Sequence, residues 1–303
     1  MNQDFYTKLT DIVSKDNVKI DEPMKMHTTF RVGGPADFFV LPQTREEIRD
    51  IIRLCRHENV PYYIIGNGSN LLVGDRGYRG VILQISRKMN EIEVKGGKIT
   101  AQAGALLSQI AAKALEAGLA GVEFASGIPG TLGGACMMNA GAYGGEMREV
   151  LASVTAMTQE GEFVCLRADE LEMGYRTSVF AKKGYIVLEA DIFLEAGDKE
   201  AIRERMEDLK QKRNEKQPLE YPSAGSTFKR PEGYFAGKLI EDAGLRGFQV
   251  GGAQVSEKHC GFVVNKDQAT AGDVMELMRQ VSERVESKFG VRLEPEVKRL
   301  GEF

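Results

Sequence analysis

The chain has 303 residues, 42% of them hydrophobic and 28% charged, with a net charge of −4. At a prior of roughly 100–200 residues per domain, two or three domains are expected. The mixed, slightly acidic charge argues against nucleic acid or an anionic membrane as the main partner, and no stretch approaches the ~20 apolar residues of a membrane span. The N-terminus, with Lys8, Asp11, Lys15 and Asp16, does not read as a signal peptide, so a cytoplasmic protein is expected. Glycine is abundant at 34 residues, which predicts several tight loops. Cys55, Cys136, Cys165 and Cys260 form no CxxC pair and read as buried free thiols. His27, His57 and His259 show no metal-ligand spacing, so no metal is expected.

In chain order, residues 5–18 read as a short helix. HTTFRVGGPAD (27–37) reads as a strand broken by Gly33-Gly34-Pro35, and FFVLP as the next strand. Thr44 caps a helix with Glu47 three residues on, whose face carries Ile48, Ile51, Ile52 and Cys55. VPYYII (60–65) and VILQIS (81–86) read as strands, and Gly96-Gly97 as a hairpin turn. A helix over 105–117 stops at Gly118. SVTAMT and FVCLR, joined by QEGE, form a hairpin, and YIVLEADIFLE a strand. Asp198 caps a charged helix with Ile202, Met206 and Leu209 on one face, read as a linker to a last domain. Thr270 caps a helix with Val274, Leu277, Met278, Val281 and Val285 inward. VRLEPEVKRL closes the chain as a strand. The mixed order implies an α+β fold, with divisions at 1–90, 91–197 and 198–303.

Two glycine loops carry the first chemistry. Gly66-Asn67-Gly68-Ser69-Asn70 follows an apolar strand and runs into Leu71. Gly127-Ile128-Pro129-Gly130-Thr131-Leu132-Gly133-Gly134 precedes a small-residue run that starts a helix. Without a Cβ, such loops let backbone amides approach an anion, and a helix N-terminus favours phosphate. Neither fits G-x-G-x-x-G and no Walker lysine follows. A diphosphate held between two loops is favoured over a Rossmann or P-loop site.

Further on, Ser226 is followed by Lys229 and Arg230, cations that suit a phosphate or a proton-donating serine. Arg213 and Lys216 share a basic helix end. Arg176, after Gly174-Tyr175, suits a two-pronged clamp on a carboxylate. Glu294 and Glu296 alternate in the last strand, and period two puts both on one face. No G-x-S-x-G occurs, and no histidine sits in a nucleophile setting.

With these residues in view, the chain from about 20 to 300 resembles the UDP-N-acetylenolpyruvoylglucosamine reductase family. The motifs that carry the resemblance are TTFRVGGPAD, GNGSNLLV, ASGIPGTLGGA, MNAGAYG, GYRTSVF, AGSTFKRP, KLIEDAGLRG, HCGFVVN and LEPEV, in the family's order. The resemblance implies a vanillyl-alcohol-oxidase-type fold of two FAD-binding subdomains and a C-terminal substrate-binding domain. It implies non-covalent FAD, reduced by NADPH, which then passes hydride to the enolpyruvyl ether of UDP-N-acetylglucosamine in peptidoglycan precursor synthesis. FAD is then expected on residues 66–71, 127–131, Gly133, Gly134, Ala140 and Gly141. The family's proton-donating serine falls on Ser226, its arginine on Arg176 and its glutamate, the one before Val, on Glu296. Arg213, Lys216, Lys229 and Arg230 become candidates for the UDP diphosphate or the NADPH phosphates. Ser178-Val179-Phe180 runs almost directly into a strand, as in the shorter, type II branch, which lacks a substrate-covering tyrosine loop. A monomer is expected. The alternatives are an alcohol or sugar oxidase of the same fold and a non-catalytic nucleotide-sugar-binding protein.

Overall fold

The structure is a computed structural model and describes residues 3–303. Helix α1 (Gln3–Ile12) is followed by strands β1 (Val18–Pro23) and β2 (Pro35–Val40), helix α2 (Arg45–His57), and strands β3 (Tyr62–Ile65), β4 (Leu71–Val73) and β5 (Tyr78–Gln84). Next come β6 (Ile92–Lys95), β7 (Lys98–Gln102), α3 (Leu107–Ala117), β8 (Leu119–Ala120), α4 (Leu132–Met138), β9 (Gly141–Ala142) and β10 (Gly145–Glu146). The middle ends with β11 (Leu151–Met157), β12 (Phe163–Arg167), α5 (Val179–Lys183), β13 (Ile186–Phe193), β14 (Glu195–Ala196) and α6 (Lys199–Lys216). The last stretch holds α7 (Ala236–Asp242), β15 (Gln249–Val250), β16 (Ala253–Val255), β17 (Val263–Asn265), α8 (Ala271–Phe289) and β18 (Lys298–Leu300).

The chain divides into two compact units, each discontinuous. The first takes the chain up to Lys19, Phe39–Asn67 and Ile82–Arg213; the second takes Ile20–Phe38, Gly68–Val81 and Asn214–Phe303. This differs from a division into three continuous stretches, and the packing says why. Phe30, Val32 and Leu72 are buried in one core with Leu239, Val263, Leu277 and Val281, so early segments fold with the last third of the chain. Helix α6 was expected as the start of the last domain, but most of it belongs to the first unit. Near its start Lys199 Nζ donates to Glu116 O at 2.6 Å, and a Cβ on Gly127 would sit 2.7 Å from Nε of Arg213, near its end.

The first unit contains a five-stranded antiparallel sheet in the order β12-β11-β13-β7-β6. Alternation along its strands buries Ile99, Ala101, Val154, Ala190 and Ile192 and turns Thr100, Ser153 and Asp191 the other way. Helices α3 and α4 pack on this sheet. The expected hairpin turn at Gly96-Gly97 joins β6 to β7, and Gly118 ends α3 in the left-handed conformation, φ +68°.

In the second unit α8 lays Val274, Leu277, Met278, Val281 and Val285 into the core, as its periodicity requires. Its start is held twice. Thr270 and Asp273 cap each other reciprocally, and Asp75 accepts from the amides of Ala271 at 2.7 Å and Gly272 at 2.9 Å. The N-cap expected at Thr44 also forms, with Oγ1 accepting from the Glu47 amide.

Three local expectations are corrected. Residues 27–34 form no strand: Thr28 Oγ1 donates to Val32 O, the Arg31 amide to Thr28 O, and Arg31 takes φ +54°. The final strand is confined to Lys298–Leu300; ahead of it Pro295 makes only an isolated bridge to Phe228. Cys165 is exposed rather than buried, since it lies on the outer face of β12; the other three thiols are buried as expected. Among the described residues no helix is long and apolar enough to cross a membrane, and no cluster of His, Cys, Asp and Glu could hold a metal ion.

Candidate active site

The two glycine loops are brought together in the first unit. Asn67 Nδ2 donates to Pro129 O at 2.8 Å. A Cβ on Gly66 would fall 2.2 Å from Thr131 Oγ1, so only glycine fits that crossing. Thr131 is buried, and Gln84 Nε2 holds Gly66 O at 3.0 Å. Beside the crossing lies a cavity of about 230 Å³, lined by Gly66, Thr131, Gly133, Gly134 and Met137 together with the apolar wall of Ile64, Ile85 and Val187.

The backbone amides of the second loop are less free than expected. The Leu132 amide donates to Ala105 O and the Gly133 amide to Ala103 O, both at 2.8 Å. A Cβ on Gly133 would also lie 3.1 Å from that of Ala103. What Gly133 offers the cavity is therefore an open Cα, not an N–H. Ile128 and Gly130 take part in the same local network, with the Ile128 amide donating to Ala125 O and Gly130 O accepting from Leu107. Further along, the Ala140 amide donates to Ala135 O, and Gly141 opens the hairpin of β9 and β10.

That hairpin turns through Tyr143 and Gly144, at φ +53° and +91°. The guanidinium of Arg213 stands 5.9 Å from the centre of the Tyr143 ring and packs on the backbone of Gly127. Burial lowers the Arg213 pKa, and the Tyr143 hydroxyl opposes that shift. Arg213 is thus a cation built into the second glycine loop rather than a solvated helix end. Lys216, one turn on, is exposed at the last position of α6.

Arg176 sits at a corner. Gly174 and Thr177 exchange backbone hydrogen bonds at 3.1 and 3.3 Å, leaving Tyr175 and Arg176 as the two residues of the turn. Arg176 takes φ +54°, a conformation that costs a residue with a Cβ about 1–2 kcal/mol. The base of the turn is held from α4: Asn139 Nδ2 donates to Gly174 O at 3.3 Å, and Ser178 Oγ to Met137 O at 2.8 Å.

In the second unit, Ser226 and Glu296 are placed by backbone. Gly225 at φ +74° turns the chain into the serine. Thr227, buried beside it, donates its amide to Gly261 O, accepts from the Val263 amide with its hydroxyl, and accepts from the Glu296 amide with its carbonyl, each at 2.8–2.9 Å. Ser226 itself is half-buried. The two carboxylates that shared one face on paper part company. Glu294 is exposed and pairs with Lys229 at 3.0 Å, whereas Glu296 is 7% exposed. Lys229 is therefore engaged away from a phosphate role, and the Arg230 guanidinium lies 4.0 Å over the Phe235 ring.

The first glycine loop reaches this strand within the second unit. Asn70 accepts from the Lys298 amide at 3.0 Å with its carbonyl and donates Nδ2 to Glu296 O at 3.3 Å. Leu71 then pairs with Lys298 in parallel register. Gly68, at φ +62°, leaves no room for a Cβ against His27 O, and Ser69 follows it half-buried. Asn70 Oδ1 is buried without a hydrogen-bond partner, which a donor from a bound group would satisfy.

Within the first unit these features fit a dinucleotide flavin: an apolar cavity beside two crossed glycine loops, with a cation packed on one of them. Asn139 and Tyr143 lie in the MNAGAYG motif, but nothing in the sequence gave either a role of its own. Their signal was local, an Asn and a Tyr among small residues ahead of glycines, where positive φ is common.

Residues 36–167 match the family model described as FAD binding domain, and residues 217–300 the model described as UDP-N-acetylenolpyruvoylglucosamine reductase, C-terminal domain. The chain is 53% identical to the UDP-N-acetylenolpyruvoylglucosamine reductase of Clostridioides difficile (strain 630), over 99% of each chain. To that of Agathobacter rectalis it is 55% identical over 100% of each. Among solved structures, the UDP-N-acetylenolpyruvylglucosamine reductase of Thermus caldophilus superposes with a TM-score of 0.80 at 38% identity, covering 93% of this chain and 98% of the other. An alkyldihydroxyacetonephosphate synthase, 19% identical with a TM-score of 0.50, covers 65% of this chain and 42% of its own. That likeness concerns the fold alone.

Proposed function

The chain belongs to the UDP-N-acetylenolpyruvoylglucosamine reductase family, and from that premise we propose that it reduces UDP-N-acetylglucosamine enolpyruvate to UDP-N-acetylmuramate with NADPH. The observation that carries this reading is the end-to-end match to these reductases of a chain whose two glycine loops close on one cavity. The residues expected to hold FAD are Gly66–Leu71 and Gly127–Thr131, with Gly133, Gly134, Ala140 and Gly141 beside them. FAD held there would supply the chemistry of hydride transfer between NADPH and the enol-ether double bond.

The chain's own residues handle the charge and the proton. Negative charge develops toward the substrate carboxylate as the double bond is reduced. Arg176 clamps that carboxylate through two N–H donors, and Glu296, in the proposed role of an O–H donor, shares the charge by hydrogen bonding. Ser226 delivers the proton to the carbon bearing the carboxylate, so hydride and proton together saturate the double bond. Arg213 is the preferred phosphate ligand, because it is already fixed against Gly127. Lys229 and Arg230 are weaker candidates, being held by Glu294 and Phe235, and Lys216 is an accessory. Among the described residues all four cysteines are free thiols, with Cys165 exposed, and a reducing compartment such as the cytoplasm is where exposed thiols persist.

The test is a pair of anaerobic half-reactions on the purified holoprotein. NADPH is expected to bleach the flavin band, and the enolpyruvyl substrate to restore it with one product formed per flavin. Protein without flavin absorbance, or turnover driven by oxygen in place of the substrate, would defeat the reading.

A further inference from the structure

Helix α4 joins two candidate features of the first unit, the cavity and the Arg176 turn. Its N-terminus carries Thr131, Gly133 and Gly134 at the cavity, and its last turn ends on Asn139 at φ +45°. Asn139 is 2% exposed, and its amide is fully used. Oδ1 accepts from the Arg148 amide at 2.9 Å; Nδ2 donates to Glu146 Oε2 at 2.9 Å and to Gly174 O at 3.3 Å. One side chain thus fastens the helix end to the β9–β10 hairpin and to the first residue of the Arg176 turn. Glu146, its other partner, is paired with Arg148.

A helix needs only a residue tolerant of the left-handed region to end here, and glycine would do that without any hydrogen bond. The asparagine therefore supplies something more than a helix stop. Arg176 holds a strained backbone in a two-residue turn, and a strained turn keeps its geometry only when its surroundings fix it. The contact from Asn139 Nδ2 is a side-chain bond to the base of that turn, and Ser178, beyond it, hooks onto Met137 of the same helix.

We infer that Asn139 is a positioning residue: it sets the Arg176 guanidinium relative to the helix that borders the cavity, and so acts in the substrate half-reaction without touching substrate. The inference rests on the role given to Arg176 above.

The experiment is a double-mutant cycle on the holoenzyme, read by anaerobic stopped-flow. Asn139→Gly keeps the left-handed helix end and removes all three bonds. Asn139→Asp, nearly isosteric, keeps an acceptor for Arg148, loses the donors to Gly174 and Glu146, and sets a carboxylate against Glu146. Both variants are expected to keep a full complement of flavin and to be reduced by NADPH within about 3-fold of the wild-type rate. Reoxidation by the enolpyruvyl substrate is expected to slow by at least about 10-fold, as for a lost interaction made mainly in the transition state. In an Arg176→Ala background, Asn139→Gly is expected to add less than about 2-fold, because its partner is already gone. The inference is overturned if both half-reactions slow alike, if both variants lose flavin, or if the effect multiplies undiminished in the Arg176→Ala background. A wild-type reoxidation rate in Arg176→Ala alone would instead remove Arg176 from its role, and the inference with it.

Discussion

The Arg176 turn and the Ser226–Glu296 stretch hold their candidate groups by opposite means. In the first unit, the arginine stands on a strained two-residue turn whose base is gripped by side chains, Asn139 and Ser178. In the second unit, Thr227 lies between its neighbours through backbone bonds to Gly261 and Glu296, and Ser226 rides on that ladder. A backbone ladder survives most substitutions of the residues that build it. A side-chain grip is lost with one residue. The comparison teaches that the serine's placement should be insensitive to mutation nearby, whereas the arginine's should fail from a distance.

The largest effect expected is at the serine itself. Ser226→Ala leaves the ladder intact, so its loss is chemical: NADPH still bleaches the flavin, while reoxidation by substrate slows roughly 10²–10⁴-fold, the usual worth of a placed proton donor. Normal reoxidation in that variant would take the serine out of the proposal. Arg176→Lys comes next. A point charge cannot reproduce the planar fork, and losing one charge-assisted hydrogen bond of about 1.5–3 kcal/mol slows the same step roughly 10–100-fold. An unchanged rate would speak against the clamp.

The ladder can be attacked directly with Thr227→Val. It leaves the buried Val263 amide without its acceptor, which is expected to lower stability by about 1–3 kcal/mol, seen as a lower urea midpoint. Substrate reoxidation of the folded protein should change less than about 3-fold, since the backbone bonds remain. A large loss of rate would break the contrast between the two units.

The smallest effect tests whether side-chain ties matter elsewhere in the first unit. Asp191 bonds Thr100 at 2.7 Å on one neighbouring strand and Ser153 at 3.1 Å on the other, and pairs with Lys98. Burial opposes ionisation of Asp191, but these partners outweigh it and hold its carboxyl below the usual range. A depressed carboxyl pKa stabilises the fold above the unfolded value of about 3.9, and the contribution is lost as pH falls through the lower folded value. Asp191→Asn is therefore expected to cost about 1 kcal/mol at pH 7 and progressively less below about pH 3.9. Urea midpoints of both proteins at the two pH values check this. A cost that does not change with pH would mean that the bonds do not depend on the charge.

Much of the local structure was legible because it depends on neighbours in sequence. The caps at Thr44 and Thr270, the stop at Gly118 and the inward face of α8 follow from residues within a few positions of one another. The strand expected over 27–37 forms only from Pro35 on, for a tertiary reason: Phe30 and Val32 are buried in the core of the second unit, and the segment before it coils to put them there.

The sequence alone marked out the two glycine loops, because glycine's missing Cβ is a property of single residues, and the family resemblance added Arg176, Ser226 and Glu296 as candidates. Strand spacing could not tell Glu294 from Glu296, and the resemblance chose Glu296; the tertiary structure buries Glu296, 7% exposed, and pairs Glu294 with Lys229. Only it showed that Asn67 meets Pro129 across 62 positions and that Asn139 grips a turn 35 residues away. Such bonds join residues that no periodicity relates, and they exist only once the chain has packed.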